Sequence, residues 1–133
     1  MSDPVSIGPL TQRVLDYART IQEAVAAAAG GTADWGPLAE RVAVDDFERV
    51  GTFLEVQDWA QYTAMLSGWA SSVDEFATTV RRISEVGHLV FYEIEERHRR
   101  GDHVTVVNSM TVFELADVGK IRRLTVYLQA PRS

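Results

Sequence analysis

The chain has 133 residues and no Pro-, Gly- or Ser-rich stretch long enough to act as a linker, so one domain spanning 1–133 is expected, burying roughly two-thirds of its unfolded surface. Apolar residues make up 46% and charged residues 24%, the proportions of a folded chain, and the net charge of −6 argues against nucleic acid as a partner because phosphates would be repelled. The absence of cysteine excludes disulfides, thiol nucleophiles and thiolate metal sites, and suits a reducing cytoplasm.

The start, Met1-Ser2-Asp3-Pro4, lacks a basic region followed by an apolar core, and the longest uninterrupted apolar run, Ala24 to Ala29, is too short for a membrane span. A soluble, cytoplasmic protein without a membrane partner is the expectation. Leu10, Val14, Tyr17, Ala18, Ile21, Val25 and Ala28 recur at helical spacing and predict a long helix from Leu10 to Ala29 with one buried face. Gly30-Gly31 ends it, since glycine reaches the left-handed conformation that stops a helix. Asp34 reads as the cap of a short second helix running through Leu38 to Val42, with Pro37 in its first turn, where the missing N–H costs little.

From Val44 to Val56, β-branched and aromatic residues alternate with charge, the pattern of a half-buried strand bent or bulged at Gly51. Asp58 caps a third helix on which Trp59, Tyr62, Leu66 and Trp69 form one stripe. Strand signals then dominate over Phe76–Val86, His88–His98, Val104–Leu115 and Lys120–Gln129. Turns at Val86-Gly87, Arg100-Gly101-Asp102 and Asp117-Val118-Gly119 each carry a glycine that tolerates positive φ. Helices first and a meander of long antiparallel strands last predict an α+β chain whose helices cover one face of a curved sheet.

The acidic segment Asp45-Asp46-Phe47-Glu48-Arg49-Val50-Gly51, the aromatic helix opening Asp58-Trp59-Ala60-Gln61-Tyr62, and the closing Gly119-Lys120-Ile121 with Val126-Tyr127-Leu128 resemble, in that order, the nuclear transport factor 2-like superfamily. That superfamily includes ketosteroid isomerase, SnoaL-like polyketide cyclases and limonene epoxide hydrolase, and the likeness covers Leu10 to Gln129. It implies a cone-shaped α+β barrel, N-terminal helices packed in a strongly curved antiparallel sheet, around a deep, mostly apolar pocket. It also implies a homodimer built on the outer sheet face. In ketosteroid isomerase the proton-shuttling base is a carboxylate two residues before a Val-Gly pair, the place of Glu48 before Val50-Gly51. The isomerase's oxyanion hole uses a helix-one tyrosine and a strand acid, where the matching positions here are Ala28 and Thr111. The epoxide hydrolase's Asp-Arg-Asp relay falls on Glu96, Ile94 and Val126, of which only Glu96 is chemically competent. A SnoaL-like cyclase would ask for a pocket acid or histidine, which Glu48, His88 or Glu96 would supply if they point inward.

A carboxylate facing an apolar cavity is desolvated, which raises its pKa above about 4.3 and makes it a better base near neutrality. Glu48 is therefore the first catalytic candidate, with Asp46 on the same strand face to share its proton or line the rim, while Asp45 points to solvent. The competing reading is that Glu48 pairs with an arginine on a solvated strand. Along His88–His98, alternation puts His88, Val90, Tyr92, Ile94, Glu96 and His98 on one face and Leu89, Phe91, Glu93, Glu95 and Arg97 on the other. Alternation alone does not choose between them; the first set is favoured inward because Val90, Tyr92 and Ile94 make an apolar wall. Trp59, Tyr62 and Trp69 are expected to pack helix on sheet and to be candidate pocket wall, and with His88, Tyr92, Glu96 and Val126 they form the expected ligand-binding set.

His88, His98, His103 and Glu96 invite a metal reading, yet only His98 and Glu96 share a strand face, so neither metal nor other cofactor is expected. Arg97, Arg99 and Arg100 bracket an exposed hairpin, and no Gly-rich phosphate loop or nucleophile elbow occurs. The expected function is a pocket for an apolar small molecule, steroid-, polyketide- or terpenoid-like. If it is an enzyme, the resemblance implies a ketosteroid isomerase-like isomerase or SnoaL-like cyclase moving a proton through Glu48. The alternative is a non-catalytic ligand-binding or dimeric interaction module. A homodimer is expected because Val104–Leu115 carries apolar residues on both faces.

Overall fold

Helix α1 (Pro9–Ala28) follows the predicted stripe, burying Val14, Tyr17 and Val25. The computed structural model describes residues 8–28 and 31–129; Met1-Ser2-Asp3-Pro4, Ala29 and Gly30, on which the expectations about the leader and the helix end rest, lie outside them. One orphan N–H of the first turn of α1 is met from the sheet. The backbone N–H and hydroxyl of Thr11 both donate to the Glu85 carboxylate, at 2.7 and 3.0 Å, which anchors the positive helix end with a negative charge.

The second helix, α2 (Gly36–Ala39), is shorter than predicted, because the chain leaves it at Glu40 to bridge Val42 against Ile121. Asp34 stands one residue before the cap position and accepts the Gly36 N–H at 2.9 Å. The expected strand over Val44–Val56 breaks into four pieces. A 3-10 turn (Val44–Asp46) comes first, then β1 (Glu48–Val50), a loop, and β2 (Val56–Gln57), which pairs back on β1. Helix α3 (Trp59–Ser72) starts in a full capping box: Asp58 accepts the Gln61 N–H, and the Gln61 side chain accepts the Asp58 N–H, both at 2.9 Å.

Four long strands complete the chain: β3 (Glu75–Val86), β4 (Leu89–Arg100), β5 (His103–Leu115) and β6 (Ile121–Gln129). Their connections turn on Gly87, Gly101 and Gly119, at φ values of 59°, 60° and 80°. The sheet order is β2-β1-β6-β5-β4-β3, with β3 to β6 an antiparallel meander and β1 parallel to β6. It is thus a mixed, unclosed sheet rather than a wholly antiparallel barrel, curved around the helices as a cone. Register shifts at Val80/Arg82 and at Glu114/Leu115 add the local bend and twist that let long strands wrap. Val14, Leu38, Val42, Val90, Ile121 and Leu124 are fully buried where α1 and α2 meet the sheet. Among the described residues, no helix is long and apolar enough to cross a membrane.

Candidate functional site

Away from that packed end, α1 and α3 stand off the sheet and leave a cavity of about 250 Å³ against the inner faces of β1 and β3–β6. Its wall is mostly apolar, with Ala18, Ile21, Leu66, Ile94, Phe113, Leu124 and Val126 among the lining. Met65 and Leu128 also line it and are 39% and 42% exposed, so the cavity reaches solvent beside them. Two clusters of polar groups interrupt the apolar wall.

The first cluster joins α1, α3 and β1. Tyr17 and Tyr62 share a hydrogen bond of 2.8 Å between their hydroxyls, so one of the two protons is spent and the other remains available. Burial pushes the Tyr17 phenol well above its ordinary pKa, with its neighbour Tyr62 adding to the rise; burial likewise raises Tyr62, against the pull of its bond to Tyr17 and of Arg49. Both are therefore neutral donors. The Arg49 guanidinium lies 5.6 Å from the Tyr62 ring centroid and lines the cavity. Phe47 sets this corner, stacking on Tyr62 at 5.4 Å between centroids and meeting Trp59 edge-on at 5.2 Å.

The second cluster joins α3 and β4. The Trp69 indole N–H donates to Nδ1 of His98 at 3.2 Å, and His98 Nε2 meets Glu96 Oε1 at 3.0 Å. An indole nitrogen only donates, so Nδ1 must be the accepting nitrogen, and the proton on Nε2 is then the one given to Glu96. The second Glu96 oxygen takes no hydrogen bond among the described residues. Phe76 packs against both Trp69 and His98, with ring centroids at 4.8 and 5.1 Å, and Gln22 reaches from α1 to Thr78 at 3.0 Å. Tyr92 lies between the clusters; burial raises its pKa, so it too is a neutral phenol.

Of the candidates drawn from sequence, Tyr62, Trp69, Tyr92, Glu96 and Val126 line the cavity, and the even-numbered face of β4 is the one turned inward. Four others are placed elsewhere. Glu48 sits on the outer face of β1, where it is in register with Arg123 and pairs with it at 3.2 Å, both side chains nearly half exposed. This corrects the expectation of an acid projecting inward from position 48: with β1 only three residues long and tied to β6, it is Arg49 that faces the cavity. Asp46 is exposed in the 3-10 turn rather than on a strand face. His88 falls in the β3–β4 turn after Gly87, its side chain 65% exposed and 3.9 Å from Asp117, which is almost wholly exposed. Trp59 packs on Phe47 and Tyr62 and does not line the cavity.

Tyr17, Arg49 and His98 are among the cavity groups that the sequence does not assign to the site. The sequence places Tyr17 in the buried stripe of α1 and His98 on the favoured inward face of β4, without giving either a ligand role. Among the described residues no group of three or more His, Asp or Glu is placed to hold a metal ion.

Helices laid into a six-stranded, strongly bent and unclosed sheet define a class, the α+β cone. The fold is that of the nuclear transport factor 2-like superfamily, SnoaL-like proteins included. The chain is similar to a protein assigned as a SnoaL-like polyketide cyclase from Shewanella denitrificans OS-217, at a TM-score of 0.74 and 14% identity, covering 90% of each chain. It is also similar to an NTF2-like protein from Anabaena variabilis, at 0.75 and 12% identity over 98% and 96% of the two chains. An LEH-like epoxide hydrolase of M. tuberculosis matches at 0.68 and 17% identity over 91% and 83%. No protein-family model matches the chain, and no curated protein matches it in sequence.

Proposed function

We propose that the cavity binds an apolar small molecule, of steroid-, polyketide- or terpenoid-like size and polarity, and that Glu96 moves a proton on it. The observation that carries this reading is the second polar cluster: a carboxylate at an apolar cavity, oriented by a histidine whose tautomer Trp69 fixes, with one oxygen left for a ligand. A positioned base of this kind contributes roughly 10²–10⁴ in rate. The fold shared with proteins described as a SnoaL-like polyketide cyclase and an LEH-like epoxide hydrolase agrees with it, while the chemistry rests on these residues. The role first given to Glu48 passes to Glu96 because only the latter reaches the cavity.

The test is turnover of a panel of enolisable polycyclic ketones by wild type and Glu96→Gln. The substitution is expected to lower turnover by about 10²–10⁴ while leaving the melting temperature and ligand affinity nearly unchanged. A wild type that binds members of the panel but turns none over would make the protein a ligand-binding module. A substitution without effect on either measure would remove Glu96 from the site.

We also propose a homodimer formed on the outer sheet face, working in the cytoplasm, where a chain without cysteine needs no oxidising compartment. The outer residues of β5 and β6 support it: Val104, Val106 and Tyr127 are 49%, 36% and 58% exposed and adjoin Phe91, Met110 and Val112 on the same face. Light scattering at micromolar concentration is expected to report twice the chain mass, and a monomer would reject the proposal.

A further inference from the structure

The cavity's two polar clusters differ in sign. Arg49 is a buried cation, 9% exposed, and a buried charge is costly unless its hydrogen-bonding groups find partners. Only Nη1 has them: it donates to the neutral Gln57 amide at 2.9 Å and lies 3.6 Å from Glu55, which is nearly half exposed and also accepts the Phe53 N–H of the β1–β2 loop. The three N–H donors of Nε and Nη2 have no protein acceptor among the described residues and are not sealed from solvent, so they are open to a guest in the cavity. Next to them are two neutral phenols with one unspent O–H between them. Donors therefore gather at this corner around a charge that no carboxylate of the cavity wall pairs with.

The one carboxylate of the cavity wall, Glu96, does not pair with Arg49. Arg49 is in register with Leu124, Leu124 with Phe113 and Phe113 with Val90, so Arg49 shares a row with Val90 on β4. Glu96 lies six residues further along β4, and β4 is three strands away from β1. At roughly 3.3 Å per residue and about 4.8 Å per strand, the two groups are separated both along and across the curved sheet, with Glu96 still near enough to the Tyr62 phenol to add to the rise of its pKa.

We infer that the ligand is an acid, with an apolar body ending in a carboxylate that Arg49 and the free phenol hydroxyl receive. The inference rests on the cavity being the ligand site, as proposed above. A guanidinium suits this task because two parallel N–H groups match two carboxylate oxygens. The arrangement also orients the guest. The anion is drawn to Arg49 and repelled by Glu96, so the opposite, uncharged end of the molecule is the one delivered to the Glu96–His98 pair.

Calorimetric titration of the full chain near pH 7 with 2-naphthoic, cinnamic and 4-phenylbutyric acids, each beside its primary amide, tests this directly. Wild type is expected to bind at least one acid about tenfold or more tightly than its amide. Arg49→Met is expected to bring the acid-to-amide ratio close to one without weakening the amide, and Arg49→Lys to retain part of the preference. Equal affinity of acid and amide for wild type would overturn the inference and leave the cavity reading standing. Persistence of the preference in Arg49→Met would overturn the assignment to Arg49, and failure of wild type to bind any member at millimolar concentration would overturn both readings. The wild-type ratio decides the matter even if a variant does not fold.

Discussion

The two ends of the cone are built from the same strands and do opposite things. At one end Val90 of β4 and Ile121 of β6 meet Val14, Leu38 and Val42, and every one of these positions is buried to within 1% exposure. A few residues along, at Ile94, Ser109 and Leu128, the facing helices have withdrawn and the same inward parity lines a hollow. Alternation decides only which side chains point in. Whether they meet partners depends on where α1 and α3 are tethered, at Thr11–Glu85 for one and at the Phe47–Trp59–Tyr62 aromatic stack for the other.

Substitutions at the two ends should separate in kind. The largest effect is expected at Ile121, fully buried in the packed end: Ile121→Ala should cost about 2–5 kcal/mol in a denaturant titration, through lost burial and the void left behind. Val126→Ala, which enlarges an existing hollow, should cost far less and instead change the size of guest accepted; equal losses at the two sites would mean that the hollow end is packed too. Tyr17→Phe comes next. It leaves the buried Tyr62 hydroxyl without its partner, at about 1–3 kcal/mol, and Tyr17→Phe with Tyr62→Phe should cost less than the sum of the two single changes.

The raised pKa of both phenols gives that region a pH signature. A group whose folded pKa lies above its unfolded value stabilises fully below the unfolded value, near 10, and loses that contribution as pH rises toward the folded value. Tyrosinate absorbance from this pair should therefore appear together with alkaline unfolding. The smallest effect is expected on the outer face, where Glu48→Gln breaks a half-exposed pair with Arg123: within about 1 kcal/mol of stability, and no change in ligand affinity.

Much of the architecture was legible in the sequence, and for identifiable reasons. Asp58 as a cap, the glycines at 87, 101 and 119, and the stripe of α1 are local signals that neighbours in sequence satisfy. The inward face of β4 followed from three apolar residues at even positions in a long strand. Position 48 is not legible because the thirteen-residue alternation of Val44–Val56 suggests one strand, whereas only three residues of that stretch form β1, and β6, more than seventy residues later, fixes their register. For His88 the expected strand runs one residue too far back, into the turn before Leu89. The Trp69–His98 contact, 29 residues apart, and the Tyr17–Tyr62 contact, 45 apart, leave no trace in spacing; tertiary docking of the helices creates both.

The shortness of β1 makes the electrical character of the hollow depend on a single peptide unit. Glu48 and Arg49 are adjacent residues of opposite sign on opposite sides of the ribbon. Lengthening or shortening the turn before Phe47 by one residue would exchange them, replacing a cation inside with an anion. Phe47, wedged against two aromatic rings, is the pin that holds the ribbon from sliding, so an apolar side chain far from any proton chemistry determines which charge a guest meets.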